Sequence, residues 1–316
     1  MEADRISQLP IHILHHIVCF ISQKEAVRTC LLSKKWRHIG LTRPNLEFFE
    51  DSFDLSRTLQ GYLDQNLSIH KLRLDLSTPV SPPVISLLNK WIPLIAALNV
   101  KAFELNFLSY TPAYYDLPSE VFLAESLEEL QLCKCRLIPV ESVRFRSLRK
   151  LTLKEFQVDG RTFDTKMLGC PLLRCLVLIR CWELKRYGRS IKIDVPNLET
   201  ITINGKWIWC HRRSAFLFSH LTRLDLHSVI LSSESFDLFL FRCPTLAKLT
   251  LDNCSGFEEF HLASDSVRFL TISTPEILLK GVKVCAPNIL DFKFRARIPQ
   301  VPDTLSFTST ASVMPH

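Results

Sequence analysis

Apolar residues recur along this chain in two rhythms. From residue 69 onward a short frame repeats, in which an apolar residue is followed three and five places later by two more. It reads "IHKLRL" from Ile69, "VKAFEL" from Val100, "LEELQL" from Leu127, "LRKLTL" from Leu148 and "LRCLVL" from Leu173. It returns as "LETITI" from Leu198, "LTRLDL" from Leu221, "LAKLTL" from Leu246, "VRFLTI" from Val267 and "ILDFKF" from Ile289, with successive starts 21 to 31 residues apart. Alternation at period two predicts a short strand with one buried face. Near-constant spacing predicts that a return segment brings the chain back to lay each strand beside the last. One unit cannot bury its own apolar face, so the stack is the core.

The first 48 residues follow a helical period instead. Between Pro10 and Ile21 the apolar positions Ile13, Leu14, Ile17, Val18 and Ile21 predict an amphipathic helix with proline near its first turn. In "SQKE", Ser22 and Glu25 have capping-box spacing, which predicts a second helix carrying Ala26, Val27, Cys30 and Leu31. Ser33 then caps a third helix holding Trp36 and Ile39, with Gly40 as its expected end before Pro44. Three short helices bury little, so such a module commonly needs a partner, and Trp36 is its large anchor.

The repeat spacing falls in the range of leucine-rich repeats. Eight residues beyond the first leucine of three units stand Cys135, Cys181 and Cys254. That is where such repeats carry an inward Asn or Cys satisfying backbone groups at the bend after the strand. The expected fold is therefore α/β: a small three-helix module over 1–48, a linker or helical connection over 49–68, and a repeat solenoid over 69–298. The solenoid has about ten units, a curved parallel sheet and return helices or loops, and a polar tail over 299–316 follows it.

Composition narrows function chiefly by exclusion. The charge of +7, from 39 Lys and Arg against 32 Asp and Glu, is mild for 316 residues and argues against a nucleic-acid binder. No uninterrupted apolar run is long enough to span a bilayer, and the polar start "MEADRISQLP" is unlike a signal peptide. Eleven cysteines then read as reduced thiols, which places the chain in the cytoplasm or nucleus. The pairs Cys133 and Cys135, Cys170 and Cys175, and Cys210 beside His211 lack zinc-site spacing, so neither a metal nor another cofactor is expected. Only 8 glycines are present, with no phosphate-cradling loop, no nucleophile elbow and no H-E-x-x-H helix, and the chain reads as a non-enzyme.

The stretch "DRISQLPIHILHHIVCFISQKEAVRTCLLSKKWRHIG", residues 4 to 40, resembles an F-box of the plant form. The segments at 87–107, 116–137 and 145–181 resemble the repeats of plant F-box/leucine-rich-repeat proteins of the FBD-associated type, in an apparently short form without the FBD domain. The chain departs from the pattern at Ile11 and His12, where acidic residues are usual, and at Ile21 and Ser22, where Leu-Pro is usual. The resemblance implies a substrate-recognition subunit of a Skp-cullin-F-box ubiquitin ligase, with catalysis on other subunits. It implies docking on a Skp-type adaptor, and through it on cullin and RING subunits, by Leu9, Pro10, Ile13, Leu14, Ile17, Leu32, Ser33, Trp36 and Arg37. The alternative is a repeat scaffold not engaged with the ubiquitin machinery, whose helices merely cap the solenoid.

On the strands, residues between the buried leucines face outward on the concave side. Their signs alternate, as in Arg73, Glu104, Asp225 and Lys293, so no basic groove for nucleic acid forms. Val177 and Ile179 are apolar on this polar face and, flanked by Lys154, Asn204 and His227, mark the expected contact with an unknown target protein. The cluster "KWIWCHRR", Lys206 to Arg213, interleaves aromatic and basic residues but reads best as a return loop that buries Trp207 and Trp209.

Overall fold

The computed structural model describes residues 6–21, 23–49, 54–77, 81–95, 98–111, 113–137, 144–158, 170–183, 195, 197–206, 208–209, 218–231, 240–297 and 305–308. The chain forms two units, residues 1–138 and 139–316. Eleven strands, four in the first unit and seven in the second, run parallel in ladders that follow chain order, which is the expected leucine-rich-repeat architecture.

The first unit opens with α1 (Ile11–Cys19), α2 (Gln23–Thr29) and α3 (Lys34–Leu41). Then come β1 (Asn45–Phe49), α4 (Asp54–Asp64), β2 (Lys71–Leu76), α5 (Pro82–Trp91), β3 (Ala102–Phe107), β4 (Tyr115–Leu117), β5 (Glu129–Cys133) and β6 (Cys135–Leu137). The ladder is β1-β2-β3-β5. β1 was not foreseen. It falls across the end of the expected helical module and the start of the linker, and pairs with β2 from Asn45↔Lys71 to Phe49↔Asp75. Its "NLEFF" lacks the leading apolar residue of the frame, yet Leu46 and Phe48 point inward like the leucines that follow. α4 buries Leu55, Leu59 and Tyr62 and α5 buries Val84, Leu88 and Trp91, both at i, i+4, i+7 spacing. The Trp91 indole N–H donates to Ser56 Oγ at 2.9 Å and ties the two return helices together.

In the second unit the strands are β7 (Lys150–Lys154), β8 (Gln157–Val158), β9 (Cys175–Ile179), β10 (Trp182–Glu183), β11 (Thr200–Asn204), β12 (Ile208–Trp209) and β13 (Arg223–His227). They continue as β14 (Ile230–Leu231), β15 (Lys248–Asp252), β16 (Glu259–Ala263), β17 (Phe269–Leu278), β18 (Gly281–Cys285), β19 (Asp291–Arg297) and β20 (Leu305–Thr308). The ladder is β7-β9-β11-β13-β15-β17-β19. Every repeat strand predicted from the frame is present. The last return segments are strands rather than helices or loops, because β16 and β18 alternate strictly and bury Phe260, Leu262, Val282 and Val284. β20 lies within the expected polar tail and pairs with β18.

The same backbone bonds tie each repeat to the next. At strand entry one carbonyl accepts two successive amides: Arg149 O takes Arg174 and Cys175, Arg174 O takes Glu199 and Thr200, and Glu199 O takes Thr222 and Arg223. At strand exit a residue with positive φ turns the chain inward: Lys134, Glu155, Arg180, Ser228 and Asn253, at φ between 45° and 58°. The amides of Glu155, Arg180 and Ser228 donate to the carbonyl closing the next strand, as in Arg180 N to Asn204 O at 2.6 Å, and that of Asn253 donates to Ser273 O inside β17. In three units the following residue is the anticipated cysteine. Cys181 Sγ donates to Leu153 O and Cys254 Sγ to Leu226 O, both at 3.3 Å, and Cys135 Sγ to Cys133 O at 3.5 Å. Beyond Cys254, Gly256 sits at φ +90°, where a Cβ would lie 2.4 Å from Leu231 O, so only glycine passes there.

Burial raises the thiol pKa of Cys170 and Cys243 to about 12, that of Cys254 to about 11, and that of Cys135 well above its usual value. A raised folded value means stability is fully present below the unfolded thiol value near 9 and is lost as pH climbs toward 11 to 12. The melting temperature should therefore decline from about pH 9 upward. In the folded chain these four thiols should escape iodoacetamide at pH 8.5, reacting only after denaturation; their modification in the native protein would contradict the buried ladder.

Candidate functional site

Two surfaces carry the residues singled out from the sequence, one in each unit. The first is the helical module. Its interior is Leu14, Val18, Ala26, Trp36 and Ile39, with Leu9, Ile17 and Ile21 packed against it. Trp36, expected as an outward anchor, is 5% exposed, and Leu14 is fully buried. Both support the module's surface from inside, because a module this small has nothing larger than the indole to fill its centre.

α3 holds the entry segment in place. The Trp36 indole N–H donates to Ser7 Oγ at 2.7 Å, and Lys35 Nζ donates to Ser7 O and Leu9 O, both at 2.8 Å. The Leu9-Pro10 pair is thus fixed, with Leu9 half-buried and Pro10 exposed at the start of α1. Lys35 was missed as a positioning residue; its signal was the basic run beside Trp36. Ser33 Oγ accepts from the Trp36 amide at 3.2 Å, the anticipated N-cap. The proposed Ser22 cap lies outside the described residues. α1 ends at Cys19, two residues short of Ile21.

What the module leaves in solvent is apolar. Ile6, Ile11, Phe20, Leu31, Leu32 and Leu41 are 47% to 88% exposed, and Ile13 is 38% exposed. Leu31 was expected inside α2; the helix stops at Thr29, so Leu31 stands out beside Leu32. Ser33 and Arg37 are exposed too. Between residues 6 and 41 the sequence holds Lys24, Arg28, Lys34, Lys35 and Arg37 against the single acid Glu25. The stretch thus joins exposed apolar side chains to a cationic sequence. Burial, and then the neighbouring His38, lower the His15 pKa, which favours the neutral imidazole.

The second surface is the outward side of the strands in the second unit. The register places Lys154 beside Ile179, Ile179 beside Asn204, Asn204 beside His227 and His227 beside Asp252, while Val177 lies between Thr152 and Thr202. All five residues expected to contact a target are partly exposed and form one patch. Charges around it are paired within the chain: Arg223 to Asp225, Arg180 to Glu155 at 2.7 Å, and His227 Nδ1 to Asp252 Oδ2 at 3.2 Å. Of the "KWIWCHRR" cluster, Ile208–Trp209 form β12, which pairs with β14; Trp207 and residues 210–213 lie outside the described residues. Among the described residues no group of three or more His, Cys, Asp or Glu is placed to hold a metal, and no helix is long and apolar enough to cross a membrane.

Gly40 does not end α3, which runs on to Leu41; it lets α3 approach α2. A Cβ there would meet Cys30 Sγ at 2.5 Å and Ala26 O at 3.2 Å. Alanine's helix preference of about 1 kcal/mol is smaller than an overpacking cost of about 1–3 kcal/mol. Gly40→Ala should therefore destabilise the module in urea denaturation, with partial recovery in Gly40→Ala/Cys30→Ala; a stabilised Gly40→Ala would refute the close approach.

Comparison with known proteins agrees with this architecture. Residues 6–47 match the F-box domain family, and residues 88–210 and 193–298 match the family described as "FBD-associated F-box protein At5g56370, LRR repeats". Among curated relatives from Arabidopsis thaliana, F-box/LRR-repeat protein 25 is 30% identical over 202 residues, covering 63% of this chain and 76% of the relative. Putative F-box/LRR-repeat protein At5g02700 is 32% identical over 179 residues, covering 56% of this chain and 38% of the relative. Putative F-box protein At1g49610 is 28% identical over 261 residues, 80% of this chain and 62% of the relative. The chain thus spans from under two fifths to three quarters of these relatives. With a three-helix F-box, parallel repeat ladders and both family matches in order, the chain belongs to the F-box/leucine-rich-repeat proteins of the FBD-associated type.

Proposed function

We propose that this protein is the substrate-recognition subunit of a Skp-cullin-F-box ubiquitin ligase in the cytoplasm or nucleus. In this reading the F-box docks on a Skp-type adaptor, the repeats hold a target protein, and the ubiquitin transfer is carried out on other subunits. The observation that carries the reading is the F-box surface. Seven large apolar side chains stand in solvent between residues 6 and 41, a stretch that carries five lysines and arginines and one acid. A soluble module with such a face fits a partner with an apolar groove and acidic margins. A receptor of this kind works by raising the effective concentration of target lysines near the charged conjugating enzyme.

The buried state of Trp36 decides which variants test the proposal. Trp36→Ala removes the centre of the module at about 3–5 kcal/mol, so lost binding would report unfolding. Surface changes separate the two effects. The full chain should co-purify with a plant Skp-type adaptor. Leu31→Asp/Leu32→Asp should weaken that binding at least tenfold with an unchanged melting temperature, and binding should weaken as salt rises. A folded full chain that ignores the adaptor would reject the receptor reading and leave a repeat scaffold.

A further inference from the structure

The acids and cations on the outward side of the second unit do not balance locally. Glu155 and Asp225 are each paired with an arginine of the chain, and Asp252 lies 3.2 Å from His227 Nδ1. Lys154 differs. Its ammonium has neither a carboxylate nor a hydrogen-bond partner among the described residues, although it is partly buried and stands one strand from Ile179. Across the same strip Asn204 presents a carboxamide that likewise makes no side-chain hydrogen bond among the described residues. A cation, two apolar side chains and an amide therefore lie side by side, within two strand spacings of about 4.8 Å each.

We infer that this strip, Lys154, Val177, Ile179 and Asn204, binds an extended acidic segment of the target protein. A large apolar side chain of the segment rests on Val177 and Ile179, and an Asp or Glu within about three residues of it pairs with Lys154. Three physical points select this occupant. Apolar residues on a polar strand face gain most by covering a partner's apolar anchor. An ammonium without a carboxylate partner among the described residues favours an incoming carboxylate, while the neighbouring Glu155 and Asp225 are already paired with arginines. A lone lysine suits a monoanion better than a phosphate, which is commonly gripped by forked arginines; Arg180 and Arg223 are engaged elsewhere. Asn204 can take both a main-chain N–H and C=O of the segment.

This inference rests on the receptor reading only for the word target; the strip's chemistry stands without it. The test is a random dodecapeptide display library panned on the full chain, followed by fluorescence anisotropy with one synthetic enriched peptide. Enriched peptides should share a large apolar residue with Asp or Glu close by, and replacing that acid by Gln should weaken binding about tenfold. Lys154→Glu should turn the preference toward Lys or Arg, and Val177→Asp should abolish binding. No enrichment, enrichment without an acid, or an unchanged preference in a folded Lys154→Glu chain overturns the inference. Adaptor co-purification run on the same variants separates the two ideas: it should persist in both. Its absence in the wild-type chain would reject the receptor reading while leaving the peptide result to stand or fall by itself.

Discussion

Within each unit, neighbouring ladder strands are tied by backbone bonds: a carbonyl shared by two amides at the entry and, at five strands, a left-handed residue at the exit. The entry carbonyl fixes where the following strand begins, and therefore which of its residues face the core. The exit residue turns the chain inward so that a small group, a thiol in three units, reaches a backbone carbonyl. Residues other than glycine adopt this conformation at Lys134, Glu155, Arg180, Ser228 and Asn253, a local penalty offset by the amide bond that each exit residue from Glu155 onward makes to the neighbouring strand. The alignment of Lys154, Ile179, Asn204 and His227 on one row is a product of that register.

The two ends of the chain solve the problem of a small core differently. The repeats borrow burial from each other. The F-box concentrates its packing on one indole, with Lys35 and Ser7 fastening the entry segment to it. The consequence is a separation of labour within six residues: Trp36 builds the module, whereas Leu31 and Leu32 face outward.

Much of this was legible in the sequence because period and burial coincide. The frame from Ile69 to Ile289 marked ten of the eleven ladder strands, and the cysteine position followed from the frame. β1 was hidden because "NLEFF" offers two inward residues without the leading apolar anchor. β16, β18 and β20 were hidden because return segments carry no fixed frame, although "EFHLA" and "GVKVC" alternate clearly once strands are considered. Gly40 was misread because a glycine late in a helix has the same sequence signature whether it ends the helix or admits a neighbouring one. Trp36 was placed outside because periodicity gives the face of a helix but not which face meets the other helices. The patch was legible as chemistry; that Glu155 and Asp225 are paired with arginines while Lys154 has no partner among the described residues could be seen only with side chains in place.

The entry carbonyl has one more implication, for how such chains vary. Because each repeat asks its neighbour only for an acceptor before the strand and a partner carbonyl after it, removing or duplicating a whole unit leaves the bonding scheme intact. Inserting a single residue within a strand would shift the leucines to the outer face and break it. Length change should thus be tolerated in multiples of a unit or within the return segments, and a lineage carrying this fold can lengthen or shorten its recognition surface by recombination without redesigning its core.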